Sequence, residues 1–222
     1  MRGILIVVSG FSGAGKGTVI KRLMEKYEGR YALSVSATTR NPREGEIEGR
    51  EYFFRTEEEF EEMIARGELI EYAKYVSHYY GTPKAYVEQN LEAGKDVILE
   101  IEIQGALNVK KAFPDTPLLF IAPPSAQELR NRLIGRGSEK ISVVKARLKR
   151  AAEESEYMPE YDYLVINDVV EDCVDEVHKI ICMEHNKCFR NQELVSKIQG
   201  ELKEMKNRLI DDLGNCETSS QS

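Results

Sequence analysis

Apolar residues fall into short uninterrupted runs, separated by stretches with helical spacing. Residues 4–9, 31–36, 50–54, 69–75, 95–103, 118–122 and 163–168 read as strands, with 78–83 as a loop or strand edge. Runs apolar along their whole length, such as those inside 4–9 and 118–122, predict strands covered on both faces. Between them, apolar spacing of three and four predicts helices from Thr18, over 84–93 and 104–111, from Ser125 through Ile134, and over 174–190. Thr56 followed by Glu59 is a capping signal that opens a helix with an acidic first turn and ends near Gly67. Glu100 and Glu102, two apart in one predicted strand, point to one face. Strands alternating with helices predict an α/β fold with a parallel, doubly wound sheet. Residues 36–90 break that rhythm with short strands, which predicts a mixed-sheet insert. Beyond Asn191, the residues Val195, Ile198, Leu202, Met205 and Leu209 form a short heptad seam with charges between. It reads either as a self-associating helix or as a surface helix packing on its own domain. Residues 214–222 are expected to fray.

Length and charge narrow the picture. A chain of 222 residues is long enough for one domain with inserts. Its net charge of -7 argues against general binding to nucleic acid or anionic membranes. No apolar run reaches the length of a membrane span, and the first run leads into a glycine-rich loop rather than a cleavage site. A cytoplasmic location is expected, with Cys173, Cys182, Cys188 and Cys216 reduced. His178, Cys182 and His185 share one face of a predicted helix, and Cys188 follows. They read either as a metal site or as the margin of a helix that packs through Val174, Val177 and Ile181; no second ligand pair lies elsewhere to close a site.

The first strand breaks into Gly10-Phe11-Ser12-Gly13-Ala14-Gly15-Lys16-Gly17-Thr18. Strand, glycine-rich loop and helix in that order form a phosphate-binding loop. Its amide groups turn around an anion, the helix N-terminus adds positive potential, and Lys16 brings a point charge to the β- and γ-phosphates. Gly17 stands where Ser or Thr would offer a hydroxyl to Mg²⁺. That hydroxyl comes from Thr18, or the metal keeps a water there. The basic stretch containing Arg130, Arg132, Arg136, Arg147 and Arg150 suits transferred phosphates when set beside such a loop, and otherwise reads as a solvated helix face.

Several separated motifs then resemble the guanylate kinase family over residues 1 to about 187. They are the loop 9–16; Ser34-Val35-Ser36-Ala37-Thr38-Thr39-Arg40-Asn41-Pro42-Arg43; Gly49-Arg50-Glu51-Tyr52; Leu69-Ile70-Glu71; Tyr79-Tyr80-Gly81-Thr82; Ile121-Ala122-Pro123-Pro124-Ser125; and Ile166-Asn167-Asp168. The resemblance implies Mg²⁺-dependent transfer of the ATP γ-phosphoryl group to GMP. It implies a phosphate-loop core (1–35, 91–126, 158–187), a GMP-binding insert (36–90) and a helical lid (127–157), with 188–222 as a C-terminal helical extension. It further implies that ATP meets Ser12, Gly13, Ala14, Gly15, Lys16, Gly17, Thr18 and Asn167. Arg40, Arg43, Tyr52 and Tyr80 hold the GMP phosphate; Ser36, Glu71 and Thr82 hold the guanine, with Glu100 near the nucleotide. Lys16, Arg40, Arg132, Arg136 and Arg147 serve the transfer. Thr82 stands in place of the family's usual Ser, and Glu100 and Glu102 in place of Asp. Guanine presents N1–H and N2–H₂ as donors, and one carboxylate accepts both, whereas adenine presents an acceptor at N1. The rivals are another nucleoside monophosphate kinase and a non-catalytic module that binds phosphopeptides through the arginines.

Overall fold

The computed structural model describes residues 2–75, 77–135 and 141–219. In chain order the first elements are β1 (Leu5–Gly10), α1 (Lys16–Lys26) and β2 (Tyr31–Leu33). The insert region follows, with β3 (Ser36–Thr38), β4 (Tyr52–Phe54), α2 (Glu57–Ala65), β5 (Leu69–Tyr75), β6 (His78–Pro83) and α3 (Lys84–Glu92). The chain then returns through β7 (Asp96–Glu100), α4 (Ile103–Ala112), β8 (Leu118–Ala122), α5 (Ala126–Gly135), α6 (Ile141–Ser155), β9 (Tyr163–Ile166) and α7 (Val170–His185), and ends in α8 (Gln192–Ser219).

Among the described residues, five strands make a sheet in the order β2-β7-β1-β8-β9, all parallel. β1 sits at its centre, pairing Val7 with both Leu99 and Leu118. Val7, Leu99, Leu118 and Ile121 are fully buried, as strands covered on both faces require. Ala106 and Val109 of α4 and Val87 and Leu91 of α3 pack against Val7 and Leu99. Elsewhere Phe11, Phe120, Leu129, Leu133 and Val144 form a second cluster, in which Phe120 meets Phe11 edge-on at 4.9 Å and Tyr161 at 5.0 Å. Asp96 is buried where β7 begins, and its Oδ1 accepts from the Ile4 amide at 3.0 Å. The second sheet runs β4-β3-β6-β5; β3 pairs parallel with β4, while β6 pairs antiparallel with β3 and β5. It is the mixed sheet expected of 36–90.

The structure corrects four local expectations. The predicted strand 31–36 is two strands in two sheets, β2 and β3, with the chain leaving one layer for the other at Ser34 and Val35. The helix after the glycine-rich loop starts at Lys16, not Thr18, because Gly15 in the left-handed region (φ 90°) already turns the chain. Glu100 and Glu102 do not share a strand face: β7 ends at Glu100, and Glu102 is the N-cap of α4. The helix predicted over 174–190 runs from Val170 to His185, followed by a 3₁₀ turn at Cys188–Arg190.

Residues Met1–Lys179 form one compact unit. A second unit begins at Ile180. Within it Glu184 pairs with Lys187 at 2.6 Å and with Arg190 at 3.5 Å, and α8 continues to Ser219, beyond the expected fraying point at Gly214. Ile198, Leu202 and Met205 are exposed along α8; the Leu209 side chain lies outside the described residues.

The capping box at α2 forms as predicted. The Thr56 hydroxyl accepts from the Glu59 amide at 3.1 Å, and the Glu59 carboxylate accepts from the Thr56 amide at 2.8 Å. Thr56→Ala leaves both contacts broken or unsupported and is expected to cost about 1 kcal/mol of unfolding free energy. Urea titration of the two proteins checks this.

Candidate active site

The carboxyl ends of β1, β7, β8 and β9 come out on one edge of the parallel sheet, and the loop 10–15 lies there. Ser9 of β1 is buried, and its hydroxyl donates to the Ile101 carbonyl at 2.7 Å, tying that strand end to the turn after β7. Lys16 folds over the loop and donates from Nζ to the carbonyls of Gly10 (2.7 Å) and Phe11 (3.2 Å). Gly13 lies against Leu129 and Leu133 of α5. Asn167, just past β9, is buried beneath the loop and donates to the Ala14 carbonyl at 2.8 Å. A Cβ on Gly15 would stand 2.5 Å from Asn167 Nδ2, so this contact requires glycine there for space as well as for φ. The Asn167 Oδ1 is buried with no hydrogen-bond partner among the described residues.

A cleft of about 700 Å³ opens beside the loop. Lys16 and Ser12 line it from the loop, Ser36, Tyr52, Glu71 and Tyr80 from the second sheet, and Arg147 from α6. The sequence reading therefore named residues that one cavity gathers from four regions of the chain. Glu71 is its most constrained group. It is buried on β5, and its Oε1 accepts from the Thr82 hydroxyl at 2.7 Å. Burial pushes the Glu71 carboxyl up to about 7, the Thr82 hydroxyl opposes that rise, and the negative charge of Glu102 adds to it. Thr82 is fully buried behind Glu71. Gly105 of α4 approaches from the other side; a Cβ there would stand 3.0 Å from Glu71 Oε2.

The arginine cluster lies at the Tyr52–Tyr80 end. Arg40 sits over the Tyr52 ring at 5.2 Å, and Tyr52 and Tyr80 pack edge-on at 6.0 Å. Glu46 grips Arg40 through two bonds of 2.9 Å and also accepts the Arg43 amide at 2.7 Å. Those bonds hold the Glu46 carboxyl below its ordinary value and raise the Arg40 guanidinium. Arg43 is exposed on the same loop and does not line the cleft. Arg132 pairs with Glu128 at 2.7 Å and reaches the Ala14 carbonyl at 3.5 Å. Arg136 lies outside the described residues.

Glu100 ends β7 beside α1; its Oε2 is 4.0 Å from where a Cβ on Gly17 would lie. Desolvation raises this carboxyl and Lys16 draws it back. Thr18 lies in the first turn of α1; its hydroxyl and the Glu100 carboxylate are oxygen donors of the kind Mg²⁺ takes. By contrast His178 bonds the Tyr31 hydroxyl through Nδ1 at 2.6 Å and stacks on Tyr27 at 3.6 Å. Among the described residues no group of three or more His, Cys, Asp or Glu side chains is placed to hold a metal ion.

Sequence reasoning gave no site role to Ser34 or Glu46, and named Arg150 only within the basic stretch. Ser34 lines the cleft with a buried hydroxyl that has no hydrogen-bond partner among the described residues. Its place in the strand-like run 31–36 disguised it. Glu46 is three residues beyond Arg43 in a polar loop, and only the fold shows that it serves both arginines.

Comparison with known proteins agrees with this geometry. A family model described as guanylate kinase matches residues 2–184. The chain is 53% identical to a guanylate kinase of Lactococcus lactis over 189 residues, covering 85% of this chain and 92% of that protein. It is 52% identical to a guanylate kinase of Bacillus subtilis over 186 residues, covering 84% and 91%. Among solved structures it resembles a guanylate kinase from Anaplasma phagocytophilum, with a TM-score of 0.68 and 34% identity over 85% of this chain and 89% of the other. No described helix is long and apolar enough to cross a membrane. With a family model spanning residues 2–184 and guanylate kinases 52–53% identical over most of its length, and with Lys16 of the glycine-rich loop and the buried Glu71 lining one cleft, the chain belongs to the guanylate kinase family.

Proposed function

We infer that the protein transfers the γ-phosphoryl group of ATP to the phosphate of GMP, giving ADP and GDP. The observation that carries the reading is the buried Glu71 in a cleft that also holds Lys16. A carboxylate there, fixed by Thr82, accepts N1–H and N2–H₂ of guanine together, and Ser36 supplies a further polar contact. Adenine would turn its N1 acceptor toward that carboxylate and leave it unpaired, the kind of mismatch a polar site rejects strongly. Arg40, Arg43, Tyr52 and Tyr80 hold the acceptor phosphate, the guanidinium groups through paired bonds to its oxygens.

The donor lies along the loop 12–18. Its amides and Lys16 neutralise the β- and γ-phosphates, and the buried Asn167 Oδ1 is an acceptor suited to the adenine amino group. Guanylate kinases generally use ATP with Mg²⁺, and here Thr18, directly or through water, and Glu100 are the oxygens that would hold it. Bound Mg²⁺ supplies charge neutralisation between the phosphates. Arg132, Arg136 and Arg147 reach the transferred group from 127–157 and stabilise its equatorial oxygens; closure of that region keeps water from taking the phosphoryl group. Residues 36–90 act as the acceptor-binding insert on a core formed by 1–35, 91–126 and 158–187.

The heptad seam of α8 is read as a pairing surface for a second copy of this chain. Glu201 and Lys206 occupy flanking positions that oppose each other between two parallel helices. Leu202→Glu is expected to halve the mass seen by light scattering.

ADP production from MgATP with GMP, AMP, UMP or CMP supplied in turn tests the reaction. Activity with GMP alone is expected, and comparable activity with AMP would refute the base pocket. The role of Glu71 has its own pH signature. Only its ionised form accepts both guanine donors, so acid weakens GMP binding as pH falls through about 7. Glu71→Gln is expected to weaken GMP binding about a hundredfold at pH 8. That gap narrows toward pH 5.5, where the wild-type side chain is itself neutral. Calorimetric titration of GMP into both proteins across this range checks it, and effects of the GMP phosphate's own ionisation cancel in the ratio.

A further inference from the structure

Arg150 is named so far only as part of the basic stretch 130–150 and has no individual role, yet it lines the cleft. From α6 its Nη2 donates to Glu102 Oε2 at 2.9 Å, while its Nε donates to Glu154 Oε1 at 2.8 Å. Glu102 is the N-cap of α4, and no side-chain capping bond holds it there. One turn further along α4, Gly105 lies against the Glu71 carboxylate. Arg150, Glu102, Gly105 and Glu71 line the same cleft. Thus a basic side chain from the proposed lid neutralises the acid on the helix that packs against the base-reading acid.

We propose that Arg150 is a positioning residue that, by ion-pairing Glu102, sets the negative charge facing Glu71 and so couples the lid helix to the guanine pocket. The inference rests on the reading of Glu71 as the guanine acceptor. Two carboxylates facing one cavity disfavour each other's ionised form, and a guanidinium on one of them relieves the other. When α6 is in place, Glu102 is paired and Glu71 is readier to ionise, as guanine requires. When α6 withdraws, Glu102 is unpaired and Glu71 holds its proton more tightly. Acceptor recognition is then strongest with the lid helix against the core.

Other groups also face this cavity. Thr82 of β6 bonds Glu71 directly, and Tyr80 of β6 and Tyr52 of β4 lie on the same side. The remaining charged groups of the cleft are Lys16, Glu51, Glu100, Arg147 and Glu154. Glu102 caps the helix whose Gly105 lies against Glu71, and its negative charge adds to the rise that burial causes in that carboxyl.

The test is a double-mutant cycle on two readouts. The first is the carboxyl ¹³C titration of Glu71 in nucleotide-free protein, identified by the signal lost in Glu71→Gln. Arg150→Met is expected to raise its midpoint by about half a pH unit, and Glu102→Gln to lower it by a similar amount. In Glu102→Gln/Arg150→Met the midpoint should stay where Glu102→Gln puts it. The second readout is kcat/KM for GMP from pH 6 to 8.5; Arg150→Met should lower it about threefold at the acid end and little at the alkaline end. An unmoved midpoint in Arg150→Met overturns the proposal. So does an equal shift on the Glu102→Gln background, which would mean that Arg150 acts without Glu102. If the midpoint moves as expected while GMP kinetics ignore it, Arg150 tunes Glu71 but Glu71 does not read guanine, and it is the base-pocket assignment that fails.

Discussion

The pairing of β1 between β7 and β8 fixes the geometry on which the cleft depends. Parallel strands in register deliver their carboxyl ends to one edge: Glu100 lies opposite Val8 and Ile121 opposite Gly10, although more than ninety residues of sequence separate the partners of each pair. The Ser9 hydroxyl, bonded to the Ile101 carbonyl, locks two of those ends together. The glycine-rich loop can therefore be a loop and still hold a shape, because Asn167 props it from below and α5 covers it from the side. Burial at the centre of the sheet supplies the rigidity; the polar contacts at its edge supply the chemistry.

Much of this was legible along the chain. The continuous apolar runs at 4–9 and 118–122 gave the buried strands, Thr56 and Glu59 gave the helix start, and residues 10–18 gave the glycine-rich turn between strand and helix, because each signal is local. Glu71 was legible for the same reason: a carboxylate between apolar neighbours in a strand is costly unless it has a use. What was not legible depends on contacts across sequence distance. Nothing local shows that the apolar run 31–36 is shared between two sheets, or that Ser34 therefore turns into the cleft. The shared-face reading of Glu100 and Glu102 assumed an unbroken strand, and the chain instead turns into α4 between them. Glu100 is left beside Gly17, and Glu102 faces α6.

Charge is arranged unevenly in this cleft. The loop end presents Lys16, backbone amides and the start of α1, and it favours anions. The insert end presents Glu71, which favours donors, with arginines beyond it. On the reading proposed above, an acceptor nucleotide would set its donor-rich base at Glu71 and its phosphate toward Arg40, leaving the loop end to the donor. Tyr52 packs edge-on against Tyr80 in the wall of the cleft, and Arg40 sits over the Tyr52 ring.

The grip of Glu46 on Arg40 has a consequence for what this end can tell apart. A guanidinium already neutralised by a carboxylate offers little to an incoming monoanion, which merely trades one single charge for another. A doubly charged phosphate monoester gains where a singly charged diester does not. If Arg40 holds the acceptor phosphate as proposed, its pairing with Glu46 would favour a doubly charged terminal phosphate over cyclic or esterified nucleotides carrying the same base.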